Sequence, residues 1–163
     1  MKRQQWLETW ALLKLKLSLR FLEAQFAPQD VDRDAAWELY VELLTRLTAQ
    51  ELVEAHGDER AAIDSVHSIF PLTRDILKKH WKRCAEFAKI AILVLNQVVR
   101  TFKGKWHQLG HFSGFENTSD CRELRCELAE LAATLRQYTK ALADITGVDD
   151  LTDLEDAKSF LRG

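Results

Sequence analysis

At 163 residues with a formal net charge of −2 and 47% hydrophobic residues, the chain is long enough to bury one core without staples. Two prolines and six glycines, beside abundant Leu, Ala, Glu, Lys and Arg, exclude a turn-rich β architecture and favour an all-α fold. Three cysteines, an odd number without framework spacing, exclude a disulfide scaffold and point to a reducing, cytoplasmic setting.

The first predicted helix covers 2–26, with Trp6, Trp10, Leu13, Leu17 and Phe21 at helical spacing. Leu13, Leu15, Leu17, Leu19 and Phe21 also alternate as a strand would, but a lone strand would leave its backbone ladder unpaired, so helix is preferred. Lys14 and Lys16 interrupt any signal-peptide core, and no small-residue cleavage site follows. Trp6 and Trp10 either pack in the core, dock into a partner's groove or lie on a membrane surface.

Pro28 ends that helix, and Asp30, Asp32 and Asp34 supply cap candidates and first-turn carboxylates for the next. The triplet lacks the Gly and closing Glu of a calcium loop. Trp37, Tyr40, Val41, Leu44 and Leu47 form its expected core stripe, and His56-Gly57 its stop. Asp58 opens a third helix through Ile63, Val66, Ile69 and Phe70, and Pro71 predicts a kink or a break before Leu72, Ile76 and Leu77.

Charge is segregated along the chain. Residues 1–71 hold 8 cationic and 12 acidic side chains, 72–105 hold 9 and 2, and 106–163 hold 6 and 11. Lys78, Lys79, Lys82 and Arg83 flank His80 and Trp81, and with Lys89 they are the nucleic-acid candidates. The bland alternatives are neutralisation by the acidic ends when the fold closes and cations suiting a helix C-terminus.

The segment 84–106 is the expected centre of the fold. Phe87, the uninterrupted apolar run 90–95, Val98 and Val99 go most of the way round a helix, which predicts enclosure by its neighbours. The uncharged span 90–99 is too short for the roughly 20 residues of a bilayer crossing. An enclosed Asn96 would fix register, and Gly104 would loosen the last turn. A loop is expected at 108–119, where Phe112 and Phe115 either tuck over the end of the fold or mark a docking site.

Asp120 with Glu123 reads as a capping pair, with Asn117, Thr118 and Ser119 as alternatives for the cap. Cys121, Leu124, Leu128, Leu131, Leu135, Tyr138, Leu142 and Ile145 then alternate in steps of three and four, the seam of nearly aligned helix packing. Gly147 ends this helix, and Thr152 with Glu155 announces a short last one pinned by Leu154, Phe160 and Leu161.

Catalytic signals are sparse. His107, His111, Cys121 and Cys126 resemble a zinc set in spacing, but residues five apart on a helix point about 140° apart, which separates the two cysteines. His80 lies one turn before Cys84 without a third orienting group, and no phosphate loop, nucleophile elbow or HExxH motif is present. The expectation is a protein that is not an enzyme and needs no cofactor or metal.

The words SIFPLTRDIL (68–77) and IAILVLNQVVRTFKGKWH (90–107) resemble segments of uncharacterised helical regions of bacterial proteins, some from antiphage or other conflict loci. The likeness implies a helical accessory or adaptor module in a bacterial defence system and is densest around Asn96, Arg100, Lys103, Trp106 and His107. Together these readings predict one domain over 1–163, a bundle of about five long helices and a short C-terminal one. Its expected role is protein interaction through Trp6 and Trp10, or through the end holding Trp106, Phe112 and Phe115. The alternatives are nucleic-acid binding by the basic segment 74–105 and an enzyme with an unrecognised site; a homo-oligomer is left open.

Overall fold

The computed structural model describes residues 27–49, 59–112 and 118–151, and every regular element among them is helical. The helices are α1 (Asp30–Ala49), α2 (Glu59–His80), α3 and α4 (Thr118–Thr146); α3 is continuous from Ala85–Val94 through a π-helical turn, Leu95–Val99, into Arg100–Phe112. The helices expected over 2–26 and after Thr152, the stop at His56-Gly57, and Asp58 lie outside the described residues. No described helix is long and apolar enough to cross a membrane.

Contacts between helices fix their order in space. Arg46 meets Ser68 while Glu38 meets His80, so α1 and α2 run antiparallel. A 3-10 turn, Trp81–Arg83, reverses the chain, and Lys103 Nζ then lies 5.3 Å from the Phe70 ring centre, which makes α2 and α3 antiparallel. Trp106 bonds Glu127, and the Leu151 backbone N–H donates to Tyr40 Oη at 2.9 Å beyond the far end of α4. The described helices thus alternate up and down around one shared core, the arrangement short connections favour.

Asp32 joins two helix starts. Its Oδ2 accepts the Gln29 backbone N–H at 3.0 Å, reaching back over the first turn of α1 as the third residue of a capping box does. Its Oδ1 accepts the Phe87 N–H, also at 3.0 Å. Cys84, the N-cap of α3, offers no side-chain cap of its own, so α1 supplies the acceptor that α3 lacks.

The inward face of α1 is the expected one only in part: Tyr40 is buried and Leu44 packs against the core, while the side chain of Leu47 lies outside the described residues. Ala35, Ala36, Leu39, Tyr40 and Leu43 are buried, whereas Trp37 and Val41 face outward and Leu44 is half-buried. Apolar residues occupy more than one face of this helix, and the small Ala35 and Ala36 let the side they share approach its neighbours closely.

Of the kink or break predicted at Pro71, the break does not form. The buried positions Ala62, Val66, Ile69, Thr73 and Ile76 of α2 keep steps of four, three, four and three across the proline, whose ring is exposed. Only the N–H that would have reached the His67 carbonyl is missing, and packing of the continuous stripe outweighs that loss.

The enclosure predicted for 84–106 holds on one side only. Phe87, Ile90, Ala91 and Val94 are buried before the π turn and Val99, Phe102 and Trp106 after it, whereas Ile92 is 48% exposed. The Arg100 N–H bonds the Leu95 carbonyl, five residues back, so the turn takes in one extra residue. That residue carries the apolar stripe from Val94 to Val99, and it explains why the run looked greasy all round when drawn at a constant 3.6 per turn. Asn96 is exposed and fixes no register.

The helix also passes Gly104 and reaches Phe112, and α4 already begins at Thr118, so 108–112 and 118–119 of the expected loop are helical, while 113–117 lie outside the described residues. A Cβ at Gly104 would meet nothing within 4 Å. Gly104→Ala is therefore expected to stabilise the protein by about 0.5–1 kcal/mol, read as a rise in denaturation midpoint at unchanged slope.

On α4 the predicted seam faces the core: Leu124, Leu128, Leu131, Leu135, Tyr138, Leu142 and Ile145 are buried and Cys121 is half-buried. Gly147 ends the helix at φ 75°, with its N–H on the Ala143 carbonyl at 2.9 Å, a left-handed cap that glycine adopts without strain.

Candidate functional site

The residues singled out in the sequence divide into core, tethered and free. Trp6, Trp10 and Phe115 lie outside the described residues; Phe112 is the last residue of α3, and its side chain is likewise outside them. Trp106 is a core residue at 1% exposure, which removes it from the docking candidates. The π turn rotates it inward, where its Nε1 donates to Glu127 Oε2 at 2.5 Å. Lys105 lies 4.9 Å from the indole centre and bonds Glu123 and Glu127, closing a joint between α3 and α4. Burial opposes ionisation of Glu127, but the bonds from Lys105 and Trp106 outweigh it and hold the carboxyl below its usual range.

Two of the five nucleic-acid candidates are committed within the fold. Lys79 Nζ donates to Glu38 Oε1 at 2.6 Å and Lys89 Nζ to Glu86 Oε1 at 2.5 Å. Glu38 is also 2.8 Å from His80 Nε2; burial opposes its charge, yet these two partners leave its carboxyl below the usual range. Lys78, Lys82 and Arg83 are exposed and make no ion pair with any described residue. Arg74 and Arg100, not singled out in the sequence as nucleic-acid candidates, are exposed in the same way.

The His80–Cys84 pair does not form an activated nucleophile. His80 is engaged by Glu38, and burial, reinforced by the negative Asp32, pushes the Cys84 thiol up from its ordinary value. Cys121 is half-buried and Cys126 exposed on another side of α4, and the side chains of His107 and His111 lie outside the described residues. Among the described residues no three His, Cys, Asp or Glu side chains gather closely enough to hold a metal ion. Of the residues where the bacterial likeness is densest, Asn96 and Arg100 are exposed, Lys103 covers Phe70 and Trp106 is in the core.

What sequence reasoning assigned to the core, the structure puts outside. Trp37 is 44% exposed and Val41, one turn on, 36%. The indole stacks on the ring of the fully buried Tyr40, with centroids 5.7 Å apart and planes at 29°. Tyr40 is in turn fixed by its bond from the Leu151 N–H, and Leu151 and nearby Val148 are themselves exposed apolar residues. The outer face of α1 therefore offers a large aromatic held from beneath, with Val41 one turn further along the helix. The signal in the sequence was a surplus: Trp37 and Val41 are apolar residues beyond those one stripe of α1 needs.

No protein-family model, curated protein or solved structure matches this chain.

Proposed function

We propose that this chain is a non-enzymatic protein-interaction module, an adaptor or accessory subunit that presents the outer face of α1 to a protein partner. The observation that carries the reading is Trp37, exposed and stacked on the buried Tyr40. A tryptophan held in this way loses little side-chain freedom on binding and brings a large apolar area to a contact, the properties of residues that dominate interfaces. Leaving such a group in water costs hydrophobic free energy that a partner would recover. The likeness of 68–77 and 90–107 to helical regions of bacterial conflict loci supports seeking that partner among the products of neighbouring genes.

The test is capture from native extract by the wild-type chain and by Trp37→Glu, with both melting curves measured. A partner retained by the wild type and lost by the variant at unchanged melting temperature is the expected result. The same proteins retained by both chains, or none by either, would contradict the reading.

A further inference from the structure

The segment 72–105 holds nine cationic side chains and two acidic ones, and the fold assigns roles to four of the nine. Lys79 is taken by Glu38, Lys89 by Glu86 and Lys105 by Glu123 and Glu127, while Lys103 rests over Phe70. Arg74, Lys78, Lys82, Arg83 and Arg100 remain exposed, with no ion-pair partner among the described residues. Among the described residues, closing the bundle therefore leaves these five without a neutralising partner. The negative end of α2 accounts for a cation in its last turn, such as Lys78, but that effect dies out within one turn and reaches neither Arg74 nor Arg100.

Their placement is ordered. Arg74, Lys78 and Lys82 recur every four residues along α2 and into the turn after it, a row spanning about 12 Å at the helical rise. Arg83 is next to Lys82 on that turn. Lys103 over Phe70 sets the level of α3 against α2, and one turn towards the reversal from each of these residues brings Arg100 level with Arg74. Asp75 is the sole acidic residue over 72–83.

We propose that this face, made by the C-terminal half of α2, the turn after it and the adjoining level of α3, binds the phosphodiester backbone of nucleic acid without reading bases. A nucleic-acid strand sets a phosphate about every 3.4 Å along a duplex axis, so a 12 Å row flanked by further guanidinium groups spans several. A membrane surface fits less well, because α2 exposes no large apolar side chain for insertion, among its described residues. An acidic peptide supplies such spacing only through a run of consecutive carboxylates, whereas every nucleotide carries a phosphate. The basic residues lie on α2, its following turn and α3, whereas Trp37 is on α1, and neither proposal depends on the other.

The experiment is fluorescence anisotropy of a labelled short DNA duplex and a single strand with the full chain, across salt concentrations. Five phosphate contacts predict a slope of log K against log salt of about −4.5 for the duplex, hence a loss of affinity of roughly 500-fold between about 50 and 200 mM salt. The triple variant Lys78→Ala, Lys82→Ala, Arg83→Ala should lower the slope to about −2, while Lys79→Ala with Lys89→Ala leaves it unchanged. Arg74→Ala with Arg100→Ala provides a second, independent reduction should the triple variant melt early. Absence of binding at low salt, an unchanged slope in both reducing variants, or tighter binding to phosphatidylserine vesicles or polyglutamate than to either oligonucleotide would overturn the proposal.

Discussion

Replacing Asp32 with alanine is expected to destabilise the protein by about 3 kcal/mol, since each buried donor left without an acceptor costs roughly 1–3 kcal/mol. The carboxylate is 1% exposed and serves two backbone donors at once, the Gln29 N–H at the start of α1 and the Phe87 N–H at the start of α3. Water cannot readily replace the acceptor at the buried Phe87 N–H, although it can reach the part-buried Gln29 N–H, and Cys84 offers no substitute cap. Asp32→Asn should cost less, about 1–2 kcal/mol, because its one oxygen still serves one donor while its NH2 faces the other. For a chain of this length, 3 kcal/mol corresponds to a fall in melting temperature of roughly 6–12 °C. Chemical denaturation of the three proteins checks the order; an alanine variant within about 0.5 kcal/mol of wild type would show that the carboxylate does not hold the two helix starts together.

The second large effect is expected at Trp106. Trp106→Ala should cost about 3–5 kcal/mol, the range for deleting a buried aromatic side chain. The indole is almost fully enclosed and bonds Glu127 across the α3–α4 contact. Trp106→Phe separates the two contributions: it restores most of the volume but not the N–H, and should lose about 1.5–3 kcal/mol for the charge-assisted bond. Glu127→Gln, which keeps an acceptor for the indole while removing the charge that Lys105 shares, should couple to Trp106→Phe in a double-mutant cycle. Equal stability of wild type and Trp106→Ala would mean that the π turn does not seat this residue in the core.

Both results follow from features that were unevenly legible in the sequence. The seam of α4 could be read directly, because a single clean repeat from Leu124 to Ile145 meets its neighbours on one face. The stripe of α2 was legible too, but Pro71 masked its continuity: a local rule about one missing donor lost to the packing of five residues in register. On α1 two apolar faces competed, and composition alone does not say which turns inward; Ala35 and Ala36, unremarkable by hydropathy, decide it by being small. The π turn was invisible because a constant helical period spreads the apolar run of α3 over the whole circumference, whereas one extra residue restores a single side. Asp32 was read as a cap for its own helix, and that part stands; its second bond joins residues 55 apart in the sequence, a pairing that no local pattern encodes.

The candidate surfaces show the same division. Charge segregation revealed that 72–105 is basic, but it could not show that Lys79 and Lys89 are held by Glu38 and Glu86 while Arg74 and Arg100 are left exposed. Trp106 drew attention as an aromatic beside a loop and proved to be core, whereas Trp37 was assigned to the core and stands in solvent over Tyr40. An aromatic residue is apolar enough for either place, so its location is settled by which neighbouring face can close up, not by its own chemistry.

An inner scaffold and an outer recognising face should respond differently to binding, and hydrogen exchange on the complex with the captured partner tests that difference most directly. Amides within 34–44 of α1, around Trp37 and Val41, should slow on binding, while those of 124–142 in α4 exchange as in the free chain. Protection confined to α4 or α3, with 34–44 exchanging at its free rate, would place recognition elsewhere and contradict the proposed role of the Trp37 face.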